Sequence, residues 1–293
     1  MGSVYAGLLG AGDHEVWAVD TWREHVEEIR ERGLRVEGAS GDRVVAIEAT
    51  TDAAEVGEAE LVILATKATD VAAAAEAARP LVGPQTLVVS IQNGLGGPDL
   101  AARALGEDRV AVGVAEGFGA SIVAPGHAHH HGFGLIRLGE RHGPVTPRLE
   151  AAAQVWREAG FSVRTFDDVQ RPLWEKLVCN VAFSGTCTIL GRTIGEVLDD
   201  AEAWSVAAAC AAEAFAVGRA AGIGFAFDEP IAHVRAFGSK IRGAKPSMLL
   251  DLEAGRRLEI DFVNGAIPRV GGEVGVAAPV NQTVTALVKT LSR

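Results

Sequence analysis

The spacing of apolar and polar positions divides the chain in two. Over the first half, short apolar runs alternate with segments of helical period. Glu15-Val16-Trp17-Ala18-Val19-Asp20 predicts a buried strand that ends in an acid, and 61–66 and 86–91 are continuous apolar runs of the kind found in strands covered on both faces. Shorter strands are predicted around 34–37, 43–48, 109–116 and 119–124, with a turn at Gly12-Asp13-His14. Helical spacing occupies 2–11, 22–33 (closed by Gly33), 69–80 (stopped at Pro80) and 98–105. Strand alternating with helix predicts an α/β domain with a parallel, doubly wound sheet. The alternation over 125–141 predicts a β-hairpin finishing that domain. A helix follows over 147–159, with Thr146 as N-cap and Pro147 at its first position, and then a strand near 161–165.

From 167 onward only helical patterns remain: 168–186, 195–198, 201–221, 228–241, 247–254, 258–272 and 279–291. The expected organisation is therefore an α/β domain over 1–166 and an all-α domain over 167–293.

Composition narrows the function classes. Of 293 residues 48% are hydrophobic, enough for a sizeable core, and the formal net charge is −11. An acidic chain without a basic cluster excludes nucleic acid and anionic membrane surfaces as natural partners. No apolar run reaches the ~20 residues that span a bilayer, and the N-terminus lacks the pattern of a signal peptide. The cysteines are Cys179, Cys187 and Cys210. An odd count without a paired motif fits a reduced, cytoplasmic protein, and none has metal-ligand spacing. The run His127, His129, His130, His131 invites a metal reading, but neighbouring residues in a strand point to opposite faces, so the run reads as structural and no metal is expected.

Three candidate groups stand out. Sheets of this class bind ligands beyond the carboxyl ends of their strands. Asp20, Lys67 and the loop Gln92-Asn93-Gly94-Leu95-Gly96-Gly97 fall there. Asp20 sits where a dinucleotide-binding fold places the acid that accepts from ribose hydroxyls, and equally where a turn or helix-capping acid sits. Lys67 is either an exposed lysine or a group that reaches a phosphate or a nicotinamide amide. Gly10-Ala11-Gly12 is not a phosphate-binding fingerprint, because it follows a helix, precedes a strand and has Glu15 in place of the third glycine. In the predicted helix around Trp174-Glu175-Lys176-Leu177, the residues Leu173, Leu177 and Val181 form the apolar face. Lys176, Asn180 and Ser184 recur one turn apart on another face. That stripe is either solvated or one wall of a polar cleft. Glu259, in Leu258-Glu259-Ile260-Asp261-Phe262-Val263-Asn264-Gly265, is either a first-turn acid favoured by a helix dipole or the partner that positions the Lys176 ammonium.

Taken together, Met1-Gly2-Ser3, Ala65-Thr66-Lys67-Ala68, Gln92-Asn93-Gly94-Leu95-Gly96, Ala124-Pro125-Gly126-His127, Trp174-Glu175-Lys176-Leu177 with Asn180, Ser247-Met248 and 259–265 resemble the ketopantoate reductase (2-dehydropantoate 2-reductase) family, within the 6-phosphogluconate dehydrogenase-like superfamily. The resemblance covers essentially the whole chain. It implies a Rossmann domain followed by a helical domain, with the active site in the cleft between them. It also implies an NADPH- or NADH-dependent reductase of pantothenate biosynthesis, with a small 2-oxo acid as substrate and a homodimer as the family-like assembly. By the same resemblance, Lys176 donates the proton to the ketone oxygen and Glu259 orients it. Asn93, Asn180, Ser184 and Ser247 stand on the substrate side. Gly2, Asp20, Lys67 and Asn93 stand on the cofactor side, with Gly2 matching the last glycine of the fingerprint.

Three departures qualify the picture. Ser184 and Ile194 stand where the family often has asparagine, which favours a more apolar 2-oxo acid. Asp20 would repel a 2′-phosphate and so leans towards NADH, with Arg23 partly offsetting it. The first strand and the first two glycines of the fingerprint are missing, so the gene product is expected to start upstream of Met1. The rival functions are a β-hydroxyacid or opine-type dehydrogenase, and a non-catalytic nucleotide-binding homologue.

Overall fold

The structure, a computed structural model, describes residues 1–12 and 14–291. The expected turn at 12–14 therefore includes one position, Asp13, outside the described residues. The chain divides into two compact units. The first comprises Met1–Thr66, Asp70–Gln92 and Gly97–Val169; the second comprises Lys67–Thr69, Asn93–Gly96 and the chain from Gln170 onward.

The first unit is α/β. Its elements are α1 (Gly2–Leu9), β1 (Trp17–Val19), α2 (Arg23–Arg32), β2 (Leu34–Gly38), β3 (Arg43–Val45), β4 (Glu48–Thr50), β5 (Leu61–Leu64), α3 (Val71–Ala77), β6 (Leu87–Ser90), α4 (Gly97–Leu105), β7 (Val110–Glu116), β8 (Gly119–Ala124), β9 (His127–Gly132), β10 (Leu135–Glu140), α5 (Pro147–Glu158) and β11 (Ser162–Thr165). A five-stranded sheet has the order β11-β10-β7-β6-β5, a four-stranded sheet the order β3-β2-β9-β8, and β1 and β4 form a separate parallel pair. Strand β6 shows why its sequence is apolar throughout. Leu87 and Val89 enter one core with Val4, Tyr5, Leu8, Ile136, Leu138 and Trp156. Val88 enters the opposite core with Val62, Leu64, Val71, Ala75, Ala101 and Val110.

Within the first unit the structure corrects the sequence reading at four places. The main sheet is mixed, because β10 runs antiparallel to β7 while β5, β6 and β7 are parallel. Between β7 and β10 the chain runs out through the antiparallel pair β8 and β9 and comes back beside β7 in the opposite direction. Residues 125–141 do not form one hairpin. β9 pairs with β8 and β2, and β10 pairs with β7 and β11, so the chain changes sheets at Phe133-Gly134. The strand expected over 43–48 is two strands, β3 against β2 and β4 against β1. The helix expected over 69–80 is the shorter α3 between single 3-10 turns at Ala68–Asp70 and Arg79–Leu81. Pro80 lacks the N–H a continuing helix needs and restricts the residue before it. At α5 the expected cap is present: the Thr146 hydroxyl accepts the Leu149 N–H, with Pro147 at the first position.

The second unit is helical: α6 (Gln170–Leu190), α7 (Ile194–Asp199), α8 (Ala201–Ala220), α9 (Pro230–Lys240), α10 (Ser247–Glu253), α11 (Ala266–Val274) and α12 (Pro279–Leu291). Helix α6 is the axis, in contact with α7, α8, α9, α10 and α12. Every residue from Leu177 to Thr188 except Asn180 is buried, as expected of a helix surrounded by others. Residues 260–265 form turns, and α11 starts only at Ala266. The hydrogen bonds there mix three-, four- and five-residue spacings (Phe262 N to Glu259 O, Val263 N to Glu259 O, Gly265 N to Ile260 O), which no regular helix sustains. Among the described residues no helix is long and apolar enough to cross a membrane.

Candidate active site

The second unit gathers most of the candidate side chains. The loop Asn93–Gly96 is seated on the turns of 260–265 by one backbone bond, Leu95 N–H to Phe262 O at 2.8 Å. Gly94 is what allows that seat. Its φ is +84°, and a Cβ there would lie 2.0 Å from the Phe262 carbonyl oxygen. With the loop so held, Asn93 meets α6, and the Lys176 ammonium donates to Asn93 Oδ1 at 2.6 Å. Lys176 is half-buried. Asn180 lies one turn further along α6 and is also half-buried, and Ser184 the next turn on is buried. The stripe is therefore not simply solvated.

A second cation stands in the same unit. Lys67 donates to Asp251 Oδ2 at 2.5 Å and lies 3.6 Å from Glu259 Oε2. The other Glu259 oxygen accepts the Ala68 N–H at 2.7 Å. Asp251 is also held by Arg256 Nε at 2.8 Å. Both carboxylates are almost wholly buried, Asp251 at 2% and Glu259 at 5% exposure. Buried carboxylates are tolerable only where charges and N–H groups address them, as here. Glu259 therefore does not owe its position to a helix dipole. It precedes the start of α11, and its partners are the Ala68 N–H and Lys67.

Asp251 is the residue the sequence reading missed. Its signal was available: one acid in the apolar run Met248-Leu249-Leu250-Asp251-Leu252, four residues after Ser247. Ser247 opens α10 on the exposed surface, one turn from Asp251.

Asp20 and Gly2 lie in the first unit. Asp20 follows β1 and is exposed. Its backbone N–H reaches the Thr50 carbonyl and its Oδ1 accepts the Trp22 N–H at 2.9 Å. The turn role is thus filled by one carboxylate oxygen. Gly2 begins α1, whose N-cap residue offers no side-chain acceptor. A Cβ at Gly2 would sit 3.4 Å from Ala65 Cβ, so packing alone does not demand glycine there. The histidine run follows the strand period. His127 and His129 face Glu37, at 3.2 and 3.4 Å, while His130 points into the core against Phe118 and Phe133. Among the described residues no group of three His, Cys, Asp or Glu side chains has metal-holding geometry.

An α/β unit with a strand that ends in an exposed acid, joined to a helical unit that sets a lysine against an asparagine, defines the class of two-part chains built from a dinucleotide-binding type of domain and a helical partner. Comparison with known proteins narrows the class to one family. The family profile described as Ketopantoate reductase PanE/ApbA matches residues 1–143, and that of its C-terminal domain matches 168–292. The chain belongs to the ketopantoate reductase family. The 2-dehydropantoate 2-reductase of Archaeoglobus fulgidus is 30% identical over 99% of this chain and 94% of its own length. The crystal structure of a PanE/ApbA family ketopantoate reductase from Ralstonia eutropha superposes with a TM-score of 0.89 at 33% identity, covering 98% of this chain and 94% of that one. D-mandelate dehydrogenase in complex with NADH is similar at TM-score 0.90 and 27% identity, covering 100% of this chain and 95% of that one.

Proposed function

We propose that this chain reduces 2-dehydropantoate, or a close 2-oxo acid relative, to the 2-hydroxy acid with a reduced nicotinamide nucleotide. The observation that carries the reading is the 2.6 Å bond from Lys176 to Asn93, which fixes the direction of a half-buried ammonium on α6. The residues present fit a dinucleotide: Asp20 offers a surface carboxylate at a strand end, and α1 begins without a side-chain cap. When bound, the nucleotide supplies the hydride.

The remaining chemistry belongs to the chain. Reduction of a ketone builds negative charge on its oxygen, and Lys176 both stabilises that charge and gives up a proton to it. Asn93 holds the ammonium in place. Asn180, one turn along α6, and Ser247, at the start of α10, bind the substrate, the Ser247 hydroxyl at the substrate's carboxylate. Ser184 lies deeper on the same stripe. Lys67, fixed by Asp251, is the lysine that would hold the nucleotide. Glu259, held by the Ala68 N–H and close to Lys67, adds negative potential to this cluster, and its role towards the catalytic lysine is electrostatic.

Asp20 favours NADH, since its charge opposes a 2′-phosphate. Ser184, together with Ile194, which is 4% exposed, favours a substrate less polar than ketopantoate at its far end. D-mandelate dehydrogenase, a structural neighbour, gives that second reading a concrete candidate in an aromatic 2-oxo acid. A homodimer in the cytoplasm completes the proposal. The test is oxidation of NADH and NADPH, in parallel, with ketopantoate, with phenylglyoxylate and with neither. Substrate-dependent oxidation, faster with NADH, is the expected result. No oxidation with any 2-oxo acid would sink the reading in favour of a non-catalytic homologue, and a requirement for an added amine would turn it towards an opine-type enzyme.

A further inference from the structure

Trp22 has no part in the chemistry above, and its setting is unusual. Its indole is 40% exposed, yet it is not loose. The ring lies flat on the imidazole of His25, with centroids 5.3 Å apart and planes at 11°. His25 is itself 3% exposed and held from two sides: Nδ1 accepts the Gly126 N–H at 2.9 Å, and Nε2 faces the Ser3 hydroxyl at 3.3 Å. Because Nδ1 accepts, the neutral ring carries its proton on Nε2, towards Ser3. Burial lowers the imidazole pKa, against the opposing charge of Asp20, which favours that neutral form. The Trp22 backbone N–H in turn donates to Asp20 Oδ1 at 2.9 Å. Asp20, Trp22, His25 and Ser3 thus form one connected assembly, from the end of β1 to the first turn of α1.

We propose that Trp22 is the residue on which the adenine of the nucleotide stacks, so that Asp20 and Trp22 together recognise an adenosine whose ribose 2′-hydroxyl is free. The proposal rests on the dinucleotide reading above and names a new contact within it. If Asp20 accepts from the ribose, the base on that ribose lies beside it. The indole belongs to the residue two positions on, whose backbone N–H donates to the same carboxylate, and it is a flat apolar surface within reach. Its backing by His25 means that little side-chain freedom is lost when a base covers it.

The test is calorimetric titration of the full chain with ADP-ribose and with NADH, for wild type, Trp22→Ala and Trp22→Phe. Loss of one stacked base contact weakens binding by roughly tenfold or more. Trp22→Ala is expected to lose that much for both ligands, and Trp22→Phe to keep most of the affinity. A near-ultraviolet difference spectrum on adding ADP-ribose is expected for wild type and not for Trp22→Phe, and it decides the matter if Trp22→Ala does not fold. Unchanged affinity in folded Trp22→Ala, or no difference spectrum in wild type that binds ADP-ribose, overturns the proposal and leaves the dinucleotide reading standing. Failure of wild type to bind either ligand overturns both.

Discussion

At the scale of the residue, the candidate site depends on how closely two backbones approach. Asn93 meets Lys176 only because Gly94 lets its loop lie against Phe262. An alanine at 94 would need both a positive φ and space already taken by a carbonyl oxygen. Gly94→Ala is therefore expected to lift the loop and move Asn93 by an ångström or more, a misplacement that typically costs on the order of 10²-fold in rate. The measurement is kcat/KM alongside a thermal melt. Wild-type turnover in that variant would show that the Asn93 contact does not position the lysine.

At the scale of the element, α6 was legible because its apolar face and its Lys176, Asn180, Ser184 stripe both follow the helical period. The start of α11 was not. The apolar pattern of 258–272 continues through residues that the structure folds as turns, because their side chains are held by distant partners. Asn264 shows the reason. Fully buried, it donates to the Val181 carbonyl at 2.8 Å and to Asn281 Oδ1 at 3.0 Å. Asn281 donates to the Cys210 carbonyl and to Glu213, whose carboxylate also caps the first N–H groups of α12. One amide thus ties the turn to α6 and α12, and through Asn281 to α8, and nothing in the local spacing announces that. Asn264→Ala should destabilise the protein by about 1–3 kcal/mol, the cost of leaving buried polar groups unpaired, with kcat close to wild type. Chemical denaturation measures the first and steady-state kinetics the second. A large fall in kcat without loss of stability would move Asn264 from scaffold to chemistry.

At the scale of the whole molecule, the α/β and all-α character of the two units could be read from the sequence, because it depends on period. Strand pairing could not. Whether β9 and β10 pair with each other or with strands of different sheets is decided by distant partners such as β2 and β11. For the candidate site, Lys176, Asn93, Lys67 and Glu259 could each be singled out from local pattern, but Asp251 and the Lys67 contacts could not, since they join positions far apart in the chain. The first unit also has a pH signature. Burial lowers the pKa of both His25 and His130 from the ordinary 6.5. A histidine whose folded pKa is depressed contributes stability that is fully present above the ordinary value and is lost as the pH falls through the folded pKa. The melting temperature should therefore be level above about pH 7 and fall on acidification below that value. His130→Phe, which keeps an aromatic ring between Phe118 and Phe133, should flatten part of that fall. An unchanged acid slope in the variant would remove His130 as a cause.

Delivery of the proton by Lys176 is the central step of the proposed reaction. The most direct test is a single-turnover reduction of ketopantoate by enzyme already loaded with NADH, wild type against Lys176→Ala, with nucleotide affinity and melting temperature measured on the same samples. The rate of nucleotide oxidation is expected to fall by about 10²-fold or more, the lower end of what a positioned general acid supplies, while affinity and melting temperature stay near wild type. A single-turnover rate close to wild type would contradict that step and take the lysine out of the mechanism.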